Sequence, residues 1–154
     1  MDIHSGGKYP SCALSNFAPH PFVMDEVKIC SMEGFLQSLK FKNPDMQIEV
    51  CKLNGAAAKY KGSKKNWKRD HILYWQGERV PRYSPEYQSL LDRAYESMAR
   101  QSDSFRRALA AADGMSLGHS IGRQKESETI LTVREFCSRL ENLRGRVLEG
   151  EFDA

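Results

Sequence analysis

Apolar positions in the second half of the chain repeat with helical spacing, and those near its start form short alternating runs. After Ser84-Pro85, the residues Tyr87, Leu90, Leu91, Ala94, Tyr95 and Met98 follow i, i+3, i+4, i+7, i+8, i+11. That spacing predicts a helix with one core-facing stripe. Ser102 stands where a cap would start another helix through Phe105, Leu109 and Ala112, and Asp113-Gly114 would end it. Thr132-Val-Arg-Glu135 reads as a capping box, in which Thr serves the third amide and Glu reaches back to the cap. It launches a last helix with Val133, Phe136, Leu140, Leu143 and Val147 turned inward. Earlier in the chain, residues 21–24 and 27–30 read as two short strands about Asp25-Glu26, leading into a helix from Ser31. Asn43-Pro44 begins a second helix, with Asn as cap and Pro in the tolerated first turn. That helix is expected to end at Asn54-Gly55, and a short Ala-rich helix then runs to about Gly62.

These elements predict an α+β fold, mainly α-helical, with a small β-hairpin beside the Ser31 helix. At 154 residues, 40% hydrophobic and 28% charged, the chain suits one domain with a real core. No repeat or low-complexity linker divides it. We place a single domain at 1–148 and an acidic tail at 149–154, Glu149-Gly-Glu-Phe-Asp-Ala154. No apolar run approaches the roughly 20 residues that a membrane span needs. Met1-Asp-Ile-His-Ser-Gly-Gly7 also lacks a signal-peptide apolar region, so a cytoplasmic protein with no membrane partner is expected. Cys12, Cys30, Cys51 and Cys137 fall at wide, unequal intervals, which points to reduced, mostly buried thiols rather than a zinc site or disulfide framework.

Charge changes the picture locally. The net charge is only +3, but Lys59, Lys61, Lys64, Lys65, Lys68, Arg69, Arg79 and Arg82 face only Asp70 and Glu78 within 59–82. Such a segment suits an anion. Most of its basic residues read equally well as solvated surface. Lys64 and Lys65 differ because they stand just before Trp67. A cation beside an aromatic plane fits a ligand carrying both phosphate and base, and stacking contributes about 1–3 kcal/mol per base.

The stretch with most chemistry is Leu14-Ser-Asn-Phe17 followed by Ser31-Met-Glu-Gly-Phe-Leu-Gln-Ser-Leu-Lys-Phe41. On a helix, Glu33, Gln37 and Lys40 at i, i+4 and i+7 share one stripe, opposite Phe35, Leu36 and Leu39. The same spacing also suits the solvated face of an amphipathic helix. Together with Pro21-Phe-Val-Met-Asp25 and Lys64-Lys-Asn-Trp67, however, the pattern resembles the YbiA-like (NADAR) family over about residues 12–145. That family's helix reads roughly Glu-His-x-Phe-Gln-x-x-Lys-Phe. Glu33, Gln37, Lys40 and Phe41 stand at the matching positions, and Gly34 replaces the His. The family also carries an acidic residue a few positions before Trp-Gly. Here no Trp-Gly follows, and the corresponding position falls near Gln124, with Glu126 or Glu128 as substitutes in a shifted register.

The resemblance implies a hydrolase of N-glycosidic bonds, acting on riboflavin-pathway ribosylamino-pyrimidine phosphates or on ADP-ribosylated guanine. The expected partner is therefore a phosphorylated ribose- or ADP-ribose-containing small molecule, with ADP-ribosylated nucleic acid as an extension. No cofactor is needed. Glu33 is the expected catalytic carboxylate. Asn16, Phe17, Gln37, Lys40, Lys64, Lys65 and Trp67 are expected to bind substrate. Between two glycines in Leu117-Gly-His-Ser-Ile-Gly-Arg123, His119 joins them as a hydrogen-bond donor or an acid–base group. The alternative is a non-catalytic or weakly catalytic binder of an NAD- or ADP-ribose-derived nucleotide. A nucleic-acid module built on 59–82 ranks third, because no recognised binding motif accompanies it.

Overall fold

The computed structural model describes residues 1–153, so Ala154 of the acidic tail lies outside the described residues. The fold is α+β and mainly helical, with seven α-helices and two separate two-stranded sheets among the described residues. After a short helix α1 (Ser11–Leu14), strands β1 (Phe22–Met24) and β2 (Val27–Ile29) pair antiparallel, with Phe22 opposite Ile29. Their inward residues Phe22, Met24, Val27 and Ile29 are buried, while Val23 and Lys28 face out. Asp25 and Glu26 turn the hairpin with φ of 50° and 68°, the two left-handed positions of a primed hairpin turn.

The motif helix α2 (Met32–Ser38) is capped by Ser31, whose hydroxyl accepts from the Gly34 amide at 3.1 Å. Helix α3 (Pro44–Cys51) follows, with Asn43 capping the Asp45 and Met46 amides. It stops at Cys51, short of the expected Asn54-Gly55. Gly55 instead opens α4 (Gly55–Ser63), with φ of +38°. A side chain at Gly34 would put its Cβ 2.6 Å from the Leu53 carbonyl and 3.2 Å from that of Val50. The end of α3 therefore crosses α2 where the related pattern carries a histidine.

A 3₁₀ turn (Trp67–Arg69) leads to a second hairpin that the sequence reading does not contain: β3 (Ile72–Trp75) with β4 (Glu78–Pro81). Gln76 and Gly77 form its turn, with φ of 50° and 85°. The two hairpins are joined at Asp25, which accepts from the Trp75 indole at 2.7 Å and from both ends of the Arg93 guanidinium.

Helix α5 (Pro85–Gln101) buries Tyr87, Leu90, Leu91, Ala94, Tyr95, Met98 and Ala99 at the centre of the core. Helices α6 (Asp103–Ala111) and α7 (Val133–Leu148) complete it, and the Thr132–Glu135 capping box is formed as expected. Cys51 and Cys137 are buried; Cys12 and Cys30 are partly so. Beyond α7 the chain folds back, with Phe152 beneath the guanidinium groups of Arg100 and Arg146. Among the described residues, no helix is long and apolar enough to cross a membrane.

The expectation that most of the 59–82 cations are solvated fails for Arg82. Its side chain is wholly buried, forked onto Glu135 at 2.7 and 3.0 Å, and its Nε donates to the Thr129 carbonyl. An arginine at the end of an unrecognised strand has no sequence feature that marks it as core.

Candidate active site

Five parts of the chain, Ser5 of the leading segment among them, converge on one cavity of about 600 Å³, a size usual for small-ligand sites. The turn after α1 supplies Ser15, Asn16 and Phe17. Helix α2 supplies Glu33, Leu36 and Gln37, with Lys40 one turn on. Lys59 and Ser63 of α4 and the 65–68 turn form another part. The α6–α7 connection contributes His119, Ile121–Arg123 and Glu128–Leu131, next to Phe136 of α7. Regular helix ends at Ser38, but the Lys40 amide still donates to the Gln37 carbonyl at 3.2 Å. The turn is thus prolonged just far enough to keep Lys40 on the Glu33–Gln37 stripe. Leu36, expected opposite that stripe, also reaches the cavity.

Glu33 is 9% exposed, and the Gln37 amide donates to it at 3.4 Å. Burial raises its carboxyl above the usual range; Gln37, Lys59, Lys40 and His119 oppose that shift without cancelling it. Lys40 is affected in reverse: burial lowers its ammonium, Glu33 opposes this, and Lys68 and Lys59 add to the lowering. Both groups are therefore drawn toward neutrality. The Gln37 Oε1 is, among the described residues, the one buried side-chain polar atom without a hydrogen-bond partner. Gly62 gives it room, since a Cβ there would lie 1.8 Å from that oxygen.

The Asn16 carbonyl accepts from the Glu33 amide at 2.9 Å, tying the turn to the start of α2. Its side-chain Oδ1 accepts from the Tyr95 hydroxyl at 2.7 Å, which leaves the amide N–H groups available to the cavity. Phe17 rests on Gly55, whose Cβ would meet the ring at 3.3 Å. Trp67 is 8% exposed and belongs to the core as well as the cavity wall, with its ring edge-on to His71. Lys65 lies over the Phe41 ring at 5.0 Å.

Of the residues singled out from sequence, Asn16, Phe17, Glu33, Gln37, Lys40, Lys65, Trp67 and His119 share this cavity. Lys64 does not line it. It caps the end of α4 and places its ammonium over Tyr60, 4.5 Å from the ring centre. Gln124 and Glu126 also lie off the cavity, whereas Glu128 lines it. Lys59, Lys68 and Arg123 also line the cavity. The first two belong to the basic run, where solvated surface is expected, and Arg123 directly follows the glycine-flanked loop. With them, Lys40 and Lys65, five cations line the cavity against two carboxylates, Glu33 and Glu128.

Comparison with known proteins gives three matches. Residues 8–145 match a family described as "Bacteriophage protein GP30.3". The chain is 44% identical over 147 residues to an uncharacterized 17.1 kDa protein in the Gp30-rIII intergenic region of Enterobacteria phage T4, covering 94% of this chain and 96% of that one. The fold matches the NMR structure of the E. coli protein YbiA with a TM-score of 0.63 at 14% identity, over 100% of this chain and 88% of that chain. The fold implied by the motif resemblance is thus the fold observed.

Proposed function

The chain belongs to the bacteriophage GP30.3 protein family, and we propose that this member is an N-glycosidase acting on a phosphorylated ribosyl or ADP-ribosyl compound. The observation that carries the reading is the buried Glu33 carboxylate in a cavity lined by five cations. A phosphate-bearing ligand satisfies the cations, and the carboxylate is placed to act as a base and to steady positive charge that develops in a reaction. Loss of a nitrogenous base from ribose develops such charge at the anomeric carbon.

In this reading Glu33 steadies the oxocarbenium-like sugar and takes a proton from the attacking water. Desolvation strengthens it as a base, because a carboxylate whose proton affinity is raised by burial accepts protons nearer neutral pH. Lys59, Lys65, Lys68 and Arg123 meet the phosphates. Asn16 offers amide donors to the sugar, and Phe17 and Trp67 border the base. Lys64 has no part in it.

The test is mass-spectrometric release of free base by the parent and by Glu33→Gln. The panel holds the ribosylamino-pyrimidine phosphate, NAD, ADP-ribosylated guanosine and ADP-ribosylated DNA. The parent should release base from at least one member, and Glu33→Gln should be slower by about 10²–10⁴-fold, the usual effect of a general acid–base group. A folded Glu33→Gln protein as fast as the parent would remove Glu33 from the chemistry. The position of Gln124 off the cavity favours one second reading, a nucleotide binder without catalysis. Intact ligand held by both proteins with no turnover would establish it.

A further inference from the structure

We propose, resting on the N-glycosidase reading, that His119 is the second proton-transfer group of this site, its Nε2 giving a proton to the departing base while Glu33 takes one from water. The bonds balance as follows. Water oxygen bonds to the anomeric carbon as the carbon–nitrogen bond breaks, and that bond's electron pair passes to the base nitrogen. The nitrogen collects its proton from His119, and the proton lost by water goes to Glu33. Exchange with solvent then returns both side chains to their starting forms.

Geometry supports this role at each point. His119 Nδ1 lies 2.7 Å from the Ile3 carbonyl oxygen. A carbonyl only accepts, so Nδ1 keeps its hydrogen throughout; the acid form is the imidazolium, whose Nε2–H is the proton given up and whose Nε2 is left with a lone pair afterwards. Among the described residues the one hydrogen bond of the ring is through Nδ1, and the ring lines the same cavity as Glu33. The ring stands edge-on to Phe136, 5.2 Å between centres. Gly122 makes space for it, because a Cβ there would come within 2.6 Å of His119 Cδ2.

Residues 2 and 3 act as positioning residues. The Ile3 amide donates to the Gly118 carbonyl at 2.8 Å, and the Asp2 carboxylate accepts from the Ser120 amide at 2.8 Å and its hydroxyl at 2.6 Å. The loop is thereby pinned on both sides of His119. The charges of Glu33 on α2 and Asp2 in the leading segment reach the ring, and Lys40, Lys59, Arg123 and Glu128 share its cavity.

The test compares the parent with His119→Asn, whose amide can still donate to Ile3 but has no counterpart of Nε2, and with His119→Gln as a second variant. Each is assayed on the panel member the parent hydrolyses fastest. The expected result is a kcat lower by about 10²–10⁴-fold with KM within about threefold. A kcat within about fivefold of the parent, or a rise in KM with kcat retained, would overturn the role of His119 alone. No base release by the parent from any panel member would overturn the N-glycosidase reading, and this proposal with it.

Discussion

Replacing Arg82 by Met should be among the most damaging single changes outside the cavity. Arg82 uses Nη1 and Nη2 on the Glu135 carboxylate and Nε on the Thr129 carbonyl, and its guanidinium sits 4.9 Å from the centre of the Tyr87 ring. Met fills much of the volume but leaves a buried carboxylate facing an apolar side chain. Removing one partner of a buried ion pair usually costs about 3–5 kcal/mol. Glu135 would keep two donors, the Thr132 amide and the Gln88 side chain, both at 2.7 Å. The lower end is therefore expected, about 3 kcal/mol. For a domain of this size that lowers Tm by about 6–12 °C.

Adding Glu135→Gln removes the orphaned charge while preserving an acceptor for the capping box. The double variant should regain at least about 1 kcal/mol relative to Arg82→Met, within the coupling usual for contacting residues. The pH dependence has a definite sign. Burial alone would raise the Glu135 carboxyl, but hydrogen bonds from Arg82, Gln88 and Thr132 outweigh it and hold the group below its ordinary value. A depressed folded-state pKa contributes stability that is present above the unfolded value and lost as pH falls through the folded one. The gap in Tm between parent and Arg82→Met should therefore be full at pH 7 and shrink on the acid side of the carboxylate range. Urea and thermal unfolding at pH 7 and pH 3 measure both effects. A loss under 1 kcal/mol, or one equal at the two pH values, would refute the reasoning.

Glu33→Gln should raise Tm toward alkaline pH while slowing base release by about 10²–10⁴-fold. Burial raises the Glu33 carboxyl, so its contribution is present below the unfolded pKa and lost as pH rises through the folded one; thermal scans at pH 5 and pH 8 should show a larger advantage for the variant at the higher pH. Gly62→Ala would place a Cβ 1.8 Å from Gln37 Oε1 and should cost about 1–3 kcal/mol as overpacking. It should also weaken binding of the panel ligand by calorimetry, and a variant with unchanged Tm and affinity would show that Gln37 moves freely.

The helices were legible because their signals are local. The stripe of α5, the Asn43 and Ser102 caps and the Thr132–Glu135 box each lie within a few residues, and each forms as its sequence indicates. The second hairpin was not legible in the same way. Ile72-Leu-Tyr-Trp75 is apolar on both faces, its Gln-Gly turn is a weaker signal than Asn-Gly, and Asp25, which holds Trp75, lies 50 residues away. Gly55 was misread because a glycine between helices can end one or begin the next, and only its packing against Phe17 decides. Lys64 and Lys65 show the limit for site residues. Consecutive side chains at a helix end diverge, so one turns back over Tyr60 while its neighbour reaches the cavity.

What the sequence did convey about the site is where ordinary folding rules fail. An inward helix face usually carries apolar groups or fully paired polar ones. Along α2 and its extension stand a buried carboxylate with one long hydrogen bond, an amide oxygen with none, and a lysine whose charge is disfavoured by burial. Gly62 leaves room for the amide, while Ser31 and Asn16 hold the start of the helix. Elsewhere buried charge is well paired: Arg82 and Glu135 satisfy one another with two further donors. The contrast matters because unpaired buried polarity is unfavourable, and it concentrates here on a single stripe that faces the cavity. Such local conflict with stability is where function is expected to reside. It also explains why Glu33→Gln should produce a protein that is more stable at pH 8 and much slower.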